Sequence, residues 1–161
     1  MIIVAGHLAL IAAIFTSFAL ALSPVFPRRW KGRGAVYAVC TLFFLITVSF
    51  AALMHAYAVS DFSVWNVVQN SHSAMPLIYK LTGVWGNHEG SILLWVWILS
   101  LWGLLVALSH QALPPGLKTK TLAFLGMIAF GFLLFIFFAL NPFLRASPPA
   151  LECLVLNPLL P

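Results

Sequence analysis

Four apolar runs, at residues 2–22, 35–58, 91–109 and 121–140, constrain this chain more than any other feature. Each approaches or exceeds the roughly 20 residues that cross a bilayer's hydrocarbon at about 1.5 Å of rise per residue. Backbone polar groups inside hydrocarbon have no water to bond, so each run is expected to be a helix that satisfies them internally. Helix breakers fall between the runs. Pro24 and Pro27 follow the first, Pro114-Pro115-Gly116 separates the third from the fourth, and Asn141-Pro142 ends the fourth. With 63% hydrophobic and only 7% charged residues, a water-soluble domain is excluded. The expected fold class is all-α, a polytopic integral membrane protein with four transmembrane helices in a single membrane segment.

Charge orients these spans. Of eight basic residues, Arg28, Arg29, Lys31 and Arg33 lie in one short loop, and Lys118 and Lys120 lie in the 110–120 loop, which has no acid. The 59–90 loop carries Lys80 beside Asp61 and Glu89, and the tail after residue 141 has Arg145 as its basic residue. Basic loops stay on the cytoplasmic side, which puts both termini and the 59–90 loop on the periplasmic side. The net charge of +5 is therefore an orientation signal, not a nucleic-acid surface. Ala19-Leu20-Ala21 resembles a signal-peptide cleavage site, but no basic region precedes Ile2 and the basic cluster follows the span. The first run is expected to be retained as an anchor.

Ordinary enzymology finds little to use. Cys40 lies inside the second span and Cys153 in the outer tail, so their depths argue against a disulfide. There is no CxxC pair, no CxxCH haem-attachment sequence, and no second histidine after His88-Glu89 to complete a zinc-protease motif. His7 and His55 fall at similar depth near the outer ends of antiparallel spans, as a pair of axial haem ligands would. Interfacial histidines bonded to neighbouring helices are the more economical reading. His110 is expected to cap the inner end of the third span, and His72 to be solvated in a polar loop. Trp30, Trp65 and Trp85 suit interfacial anchoring. Trp95 and Trp102, seven apart, share a face of the third helix while Trp97 points elsewhere. That shared face favours packing, helix on helix or against lipid, over a porphyrin or quinone cavity.

The candidate site is Trp85-Gly86-Asn87-His88-Glu89-Gly90-Ser91, at the mouth of the third span. Asn87 is a good N-cap, Glu89 in the first turn complements the positive helix end, and Gly86 and Gly90 permit close packing. A cap alone requires neither an adjacent histidine nor two glycines, and an ionisable pair entering a membrane is a functional hypothesis by default. His88 could donate a hydrogen bond to a ligand acceptor.

The segment from Gly83 to Trp97 resembles, almost residue for residue, the WGxHEGS region of the large membrane subunit of cytochrome c haem lyases, the CcmF/NrfE/CycK group. Val59-Ser60-Asp61-Phe62-Ser63-Val64 and Met75-Pro76-Leu77-Ile78-Tyr79-Lys80 are similar to that family's outer loop. Asn141-Pro142-Phe143 and Leu156-Asn157-Pro158-Leu159-Leu160 are similar to its next outer elements. The resemblance spans essentially the whole chain, in order. It implies cytochrome c maturation: haem is taken from a periplasmic haem chaperone and attached, with other maturation subunits, to apocytochrome c. It implies the bacterial inner membrane, or the mitochondrial inner membrane for an organellar chain.

The family's tryptophan-rich outer loop and its four haem-related histidines lie further along its chain, so none of their roles passes to His7, His55 or His88. Where the family tends to read Gly-x-Asp-Leu-Asn-Pro-Leu-Leu-Gln, this chain reads Cys153-Leu154-Val155-Leu156-Asn157-Pro158-Leu159-Leu160-Pro161. The expectation is the N-terminal part of such a subunit, from a split gene, a fragment or a decayed gene, and inactive alone. Trp85, His88, Glu89 and Trp95 are expected to support a haem or quinone region without ligating iron. The alternative is a small structural or transport subunit in which Glu89 and the half-buried histidines handle protons or quinone.

Overall fold

The computed structural model describes residues 1–25, 34–109 and 114–146. Its helices are α1 (Ile2–Ala21), α2 (Ala35–Ala58), α3 (Trp65–Asn70), α4 (Leu77–Gly86), α5 (His88–Leu108) and α6 (Pro115–Phe135). A π-helical turn, Ile136–Leu140, extends α6. Among the described residues there is no strand, only an isolated antiparallel bridge between Val64 and Arg145. Four of these helices, α1, α2, α5 and α6 with its π turn, are long and apolar enough to cross a membrane. The all-α membrane class expected from the sequence is the one observed.

The four spans close a ring in which α1 packs on α2, α2 on α5, α5 on α6, and α6 back on α1. Leu10, Ile46, Leu53, Leu93, Leu122 and Leu133 fill its interior and are almost wholly buried. Lipid tails are as apolar as leucine, so close approach and dispersion hold such a ring together more than hydrophobic transfer does. Gly6 shows how close that approach is. A Cβ there would lie 2.5 Å from the Ala52 Cβ and 3.0 Å from the Phe143 ring.

Three boundaries differ from the sequence reading. The third span begins at His88 rather than Ser91, so the last four residues of the motif are part of the helix and not merely its approach. The fourth begins at Pro115 rather than Thr121. Proline at a first helical position loses an N–H that would have had no partner there, so Pro114-Pro115-Gly116 starts the helix instead of standing clear of it. Residues 59–90 are no plain loop, because α3 and α4 fold within them and α4 packs on both α2 and α5.

The π turn closes with the Asn141 amide donating to the Ile136 carbonyl at 2.7 Å. Asn141 itself takes a left-handed φ of 33°, a conformation asparagine tolerates better than most residues. The chain then returns onto α3. The Trp65 amide donates to the Leu144 carbonyl at 2.8 Å, and the Ala146 amide to the Ser63 carbonyl at 3.0 Å. The start of α1, residues 59–90 and residues 141–146 therefore share one end of the bundle. Lys118 and Lys120 belong to the other end, where the Lys118 ammonium donates to the Ser109 carbonyl at 3.1 Å. Arg28, Arg29, Trp30, Lys31, Arg33, His110, Cys153 and the Leu156-Asn157-Pro158 element lie outside the described residues.

Candidate functional site at the junction of α4 and α5

Asn87 is the single extended residue between two helices, and its side chain holds them in place. It caps α5, its Oδ1 accepting from the Gly90 amide at 2.7 Å. Its Nδ2 donates to the Gly83 carbonyl at 3.0 Å, the Tyr57 hydroxyl at 2.8 Å and Asn66 Oδ1 at 3.3 Å. Tyr57, 0% exposed at the end of α2, donates in turn to Asn66 Oδ1 at 2.5 Å. The Asn70 side chain steadies Asn66, its Nδ2 donating to the Asn66 backbone carbonyl at 2.9 Å. Four helices thus meet in one buried polar network, and buried polar groups need such partners.

Two further contacts lock the junction. A Cβ on Gly90 would overlap the Val84 carbonyl oxygen, so the first turn of α5 rests directly on the backbone of α4. Gly86, by contrast, has open space where a Cβ would go. The packing role expected for both glycines therefore holds for Gly90 alone. The Ser91 hydroxyl donates to the Trp85 carbonyl at 2.6 Å.

With Asn87 and Gly90 turned inward, Trp85 and His88 are left exposed, while Glu89 and Ser91 are half-buried. Trp85 is 41% exposed, His88 is exposed, and Glu89 is half-buried in the first turn of α5. Trp95 follows seven residues after His88, about 10 Å further along the same face, and is 66% exposed. Trp102 continues the line at 60%. Of the four residues singled out in the sequence, His88 and Trp95 share this face of α5, Trp85 is exposed near the end of α4, and Glu89 is half-buried in the first turn of α5. The Trp95–Trp102 face is exposed and so open to lipid packing, whereas helix–helix packing within this chain falls to Trp97. Its indole N–H donates to Thr47 at 2.9 Å, and its ring lies against Phe43 and Phe50.

The His7–His55 alternative also finds no geometric support. His7 stacks on Phe137 at 5.8 Å and meets Phe143 edge-on at 6.0 Å, whereas His55 is exposed. His72 is half-buried, its Nδ1 accepting from the Ala74 amide at 3.1 Å. Among the described residues no three His, Cys, Asp or Glu side chains group as a metal site.

Sequence reasoning missed Tyr57 and Asn66. A tyrosine at the last turn of an apolar span, followed by Asn66 and Asn70 one turn apart, was the available signal.

The chain resembles known proteins across nearly its whole length. Residues 85–157 match the family model of the cytochrome C assembly protein, beginning at Trp85. The cytochrome c-type biogenesis protein ccl1 of Rhodobacter capsulatus is 44% identical, over 99% of this chain and 25% of that protein. CycK of Rhizobium meliloti is 47% identical, over 99% of this chain and 24% of that protein. A solved structure of the cytochrome c heme lyase CcmF superposes with a TM-score of 0.79 at 30% identity, covering 89% of this chain and 25% of that one. The chain spans about a quarter of the length of these relatives. Ordered polar motif, four-span ring and alignment agree, and the chain belongs to the CcmF/CycK/NrfE family of cytochrome c-type biogenesis proteins.

Proposed function

We propose that this chain is the N-terminal part of a membrane haem lyase subunit, and that its α4–α5 junction supports the region where haem is handled. Haem here is cargo, received from a periplasmic chaperone and delivered to apocytochrome c with other maturation subunits. The observation that carries the reading is the division of labour within one heptapeptide. Asn87, Gly90 and Ser91 build the junction, while the Trp85 and His88 side chains stay exposed beside it and Glu89 lies half-buried in the first turn of α5, at its positive end. Indole faces stack on a porphyrin, and the His88 imidazole can donate to one of its carboxylates. Iron ligation by these residues is not part of the reading. The end of the bundle carrying residues 59–90 is assigned to the periplasmic side of the inner membrane, on the strength of the basic residues gathered at the two opposite loops.

The test is cytochrome yield. His88→Ala and Glu89→Gln, placed in the complete lyase, should lower the amount of c-type cytochrome carrying covalent haem while leaving the subunit's abundance unchanged. Wild-type yields in both variants would remove the functional reading and leave an exposed helix start.

A further inference from the structure

The depth of α4 is fixed at two points. Its last residue is joined to His88, the first residue of α5, through Asn87 alone. At 21 residues α5 is about as long as bilayer hydrocarbon is thick, so His88 stands at the edge of that hydrocarbon. About two turns before His88, the Lys80 ammonium donates to Ser60 Oγ at 2.7 Å and to the Ser73 carbonyl at 3.1 Å. Ser60 lies just past the end of α2, a span of 24 residues. That span is about 36 Å long against about 30 Å of hydrocarbon, so its end reaches the polar layer. Both ties hold α4 where hydrocarbon meets headgroups.

Taken at about 100° per residue, the side chains of α4 sort into three sectors. Gly83, Lys80 and Val84 face the bundle. A Cβ on Gly83 would lie 3.4 Å from the Tyr57 ring and 3.5 Å from the Asn70 carbonyl oxygen, which belongs to α3. Val84 is 0% exposed and enters the core shared by the spans. Next to Val84, within about 100° of arc, come Leu77, Leu81, Trp85 and Ile78. Leu77 and Ile78 are 57% and 67% exposed. The remaining arc, next to Gly83 and so on the side of α3, holds Thr82, Gly86 and Tyr79, all exposed. At six residues, with Asn66, Gln69 and Asn70 among them, α3 is too short and polar to enter hydrocarbon. The apolar sector of α4 is thus turned away from the extramembrane side, toward the bilayer.

We infer that α4 is an interfacial helix, and that acyl chains of the adjoining leaflet cover its Leu77–Ile78–Leu81–Trp85 sector. Helices of this kind bury their apolar side about 5–10 Å into the boundary between headgroups and acyl chains, a depth that tryptophan favours. Lys80 keeps its ammonium in the polar layer through Ser60 and Ser73. Lipid contact on α4 then sets the depth of the junction it forms with α5. None of this requires haem at that junction.

The test uses the complete lyase in lipid nanodiscs, its native cysteines replaced by alanine. One nitroxide at a time is attached to Leu77→Cys, Ile78→Cys, Tyr79→Cys or Thr82→Cys. Power-saturation electron paramagnetic resonance then compares collisions with oxygen, which partitions into hydrocarbon, and with a water-soluble nickel chelate. Oxygen should dominate at positions 77 and 78 and nickel at 79 and 82, so that the ratio reverses between two neighbours in sequence. Nickel dominance at all four positions would put the sector in water and overturn the inference. Exclusion of both reagents from 77 and 78 would mean that polypeptide of the longer protein covers the sector. Oxygen dominance at all four would sink the whole helix into hydrocarbon. Either of these results overturns it too.

Discussion

Replacing Asn87 with alanine tests the junction most directly. The substitution removes the N-cap of α5, worth about 1 kcal/mol. It also strips a donor from the Gly83 carbonyl, the Tyr57 hydroxyl and Asn66 Oδ1. Tyr57 and Asn66 keep their bond to each other, so their loss is partial, at about 0.5–1 kcal/mol each, and Gly83 adds about 1. The expected destabilisation is about 3–4 kcal/mol, a large fraction of the about 5–15 kcal/mol that holds a typical domain. Asn87→Ser keeps an oxygen cap but loses the donors, and should fall midway. Unfolding in mixed detergent micelles, followed by tryptophan fluorescence, measures both. A double-mutant cycle with Tyr57→Phe should show coupling of about 0.5–3 kcal/mol, because the two side chains belong to one network. Hydrogen exchange at the Gly90 amide should accelerate in Asn87→Ala but not in Asn87→Ser. If Asn87→Ala unfolds within about 0.5 kcal/mol of wild type, the size of an ordinary surface change, the network does not hold the junction.

Other outcomes follow from the same packing. Gly90→Ala should cost about 3 kcal/mol or fail to accumulate, since its methyl group meets backbone that cannot yield. Gly86→Ala, with open space around it, should be neutral within about 1 kcal/mol by the same unfolding assay. Trp97→Phe should lose about 1 kcal/mol with its bond to Thr47, whereas Trp102→Phe should leave the melting curve of this chain unchanged. A membrane-impermeant maleimide should label Ser73→Cys from the periplasmic side and Lys120→Cys only after the membrane is breached. The reverse pattern would invert the assigned topology.

Much of the site was legible because the motif is chemically out of place. An amide, an imidazole and an acid at the mouth of an apolar helix stand out in a chain with so few charges, and Asn87 reads as a cap from its position alone. The outward direction of Trp95 was not legible. Heptad spacing shows that Trp95 and Trp102 share a face, but both the packing and the open arrangement have that spacing, and only the neighbours of α5 distinguish them. The role of Gly86 was misjudged for a related reason. Two glycines four residues apart suggest one close contact, yet only Gly90 faces the Val84 carbonyl.

Sequence alone determined the membrane class and the number of spans, because hydrocarbon imposes a fixed length and a fixed demand for internal hydrogen bonds. Tertiary structure decided what residues 59–90 do. Tyr57, Asn66 and Asn87 are separated by up to 30 positions, and nothing local draws their polar groups together. They converge because burial between packed helices removes water, and their side chains then bond one another and the Gly83 carbonyl and Gly90 amide beside them.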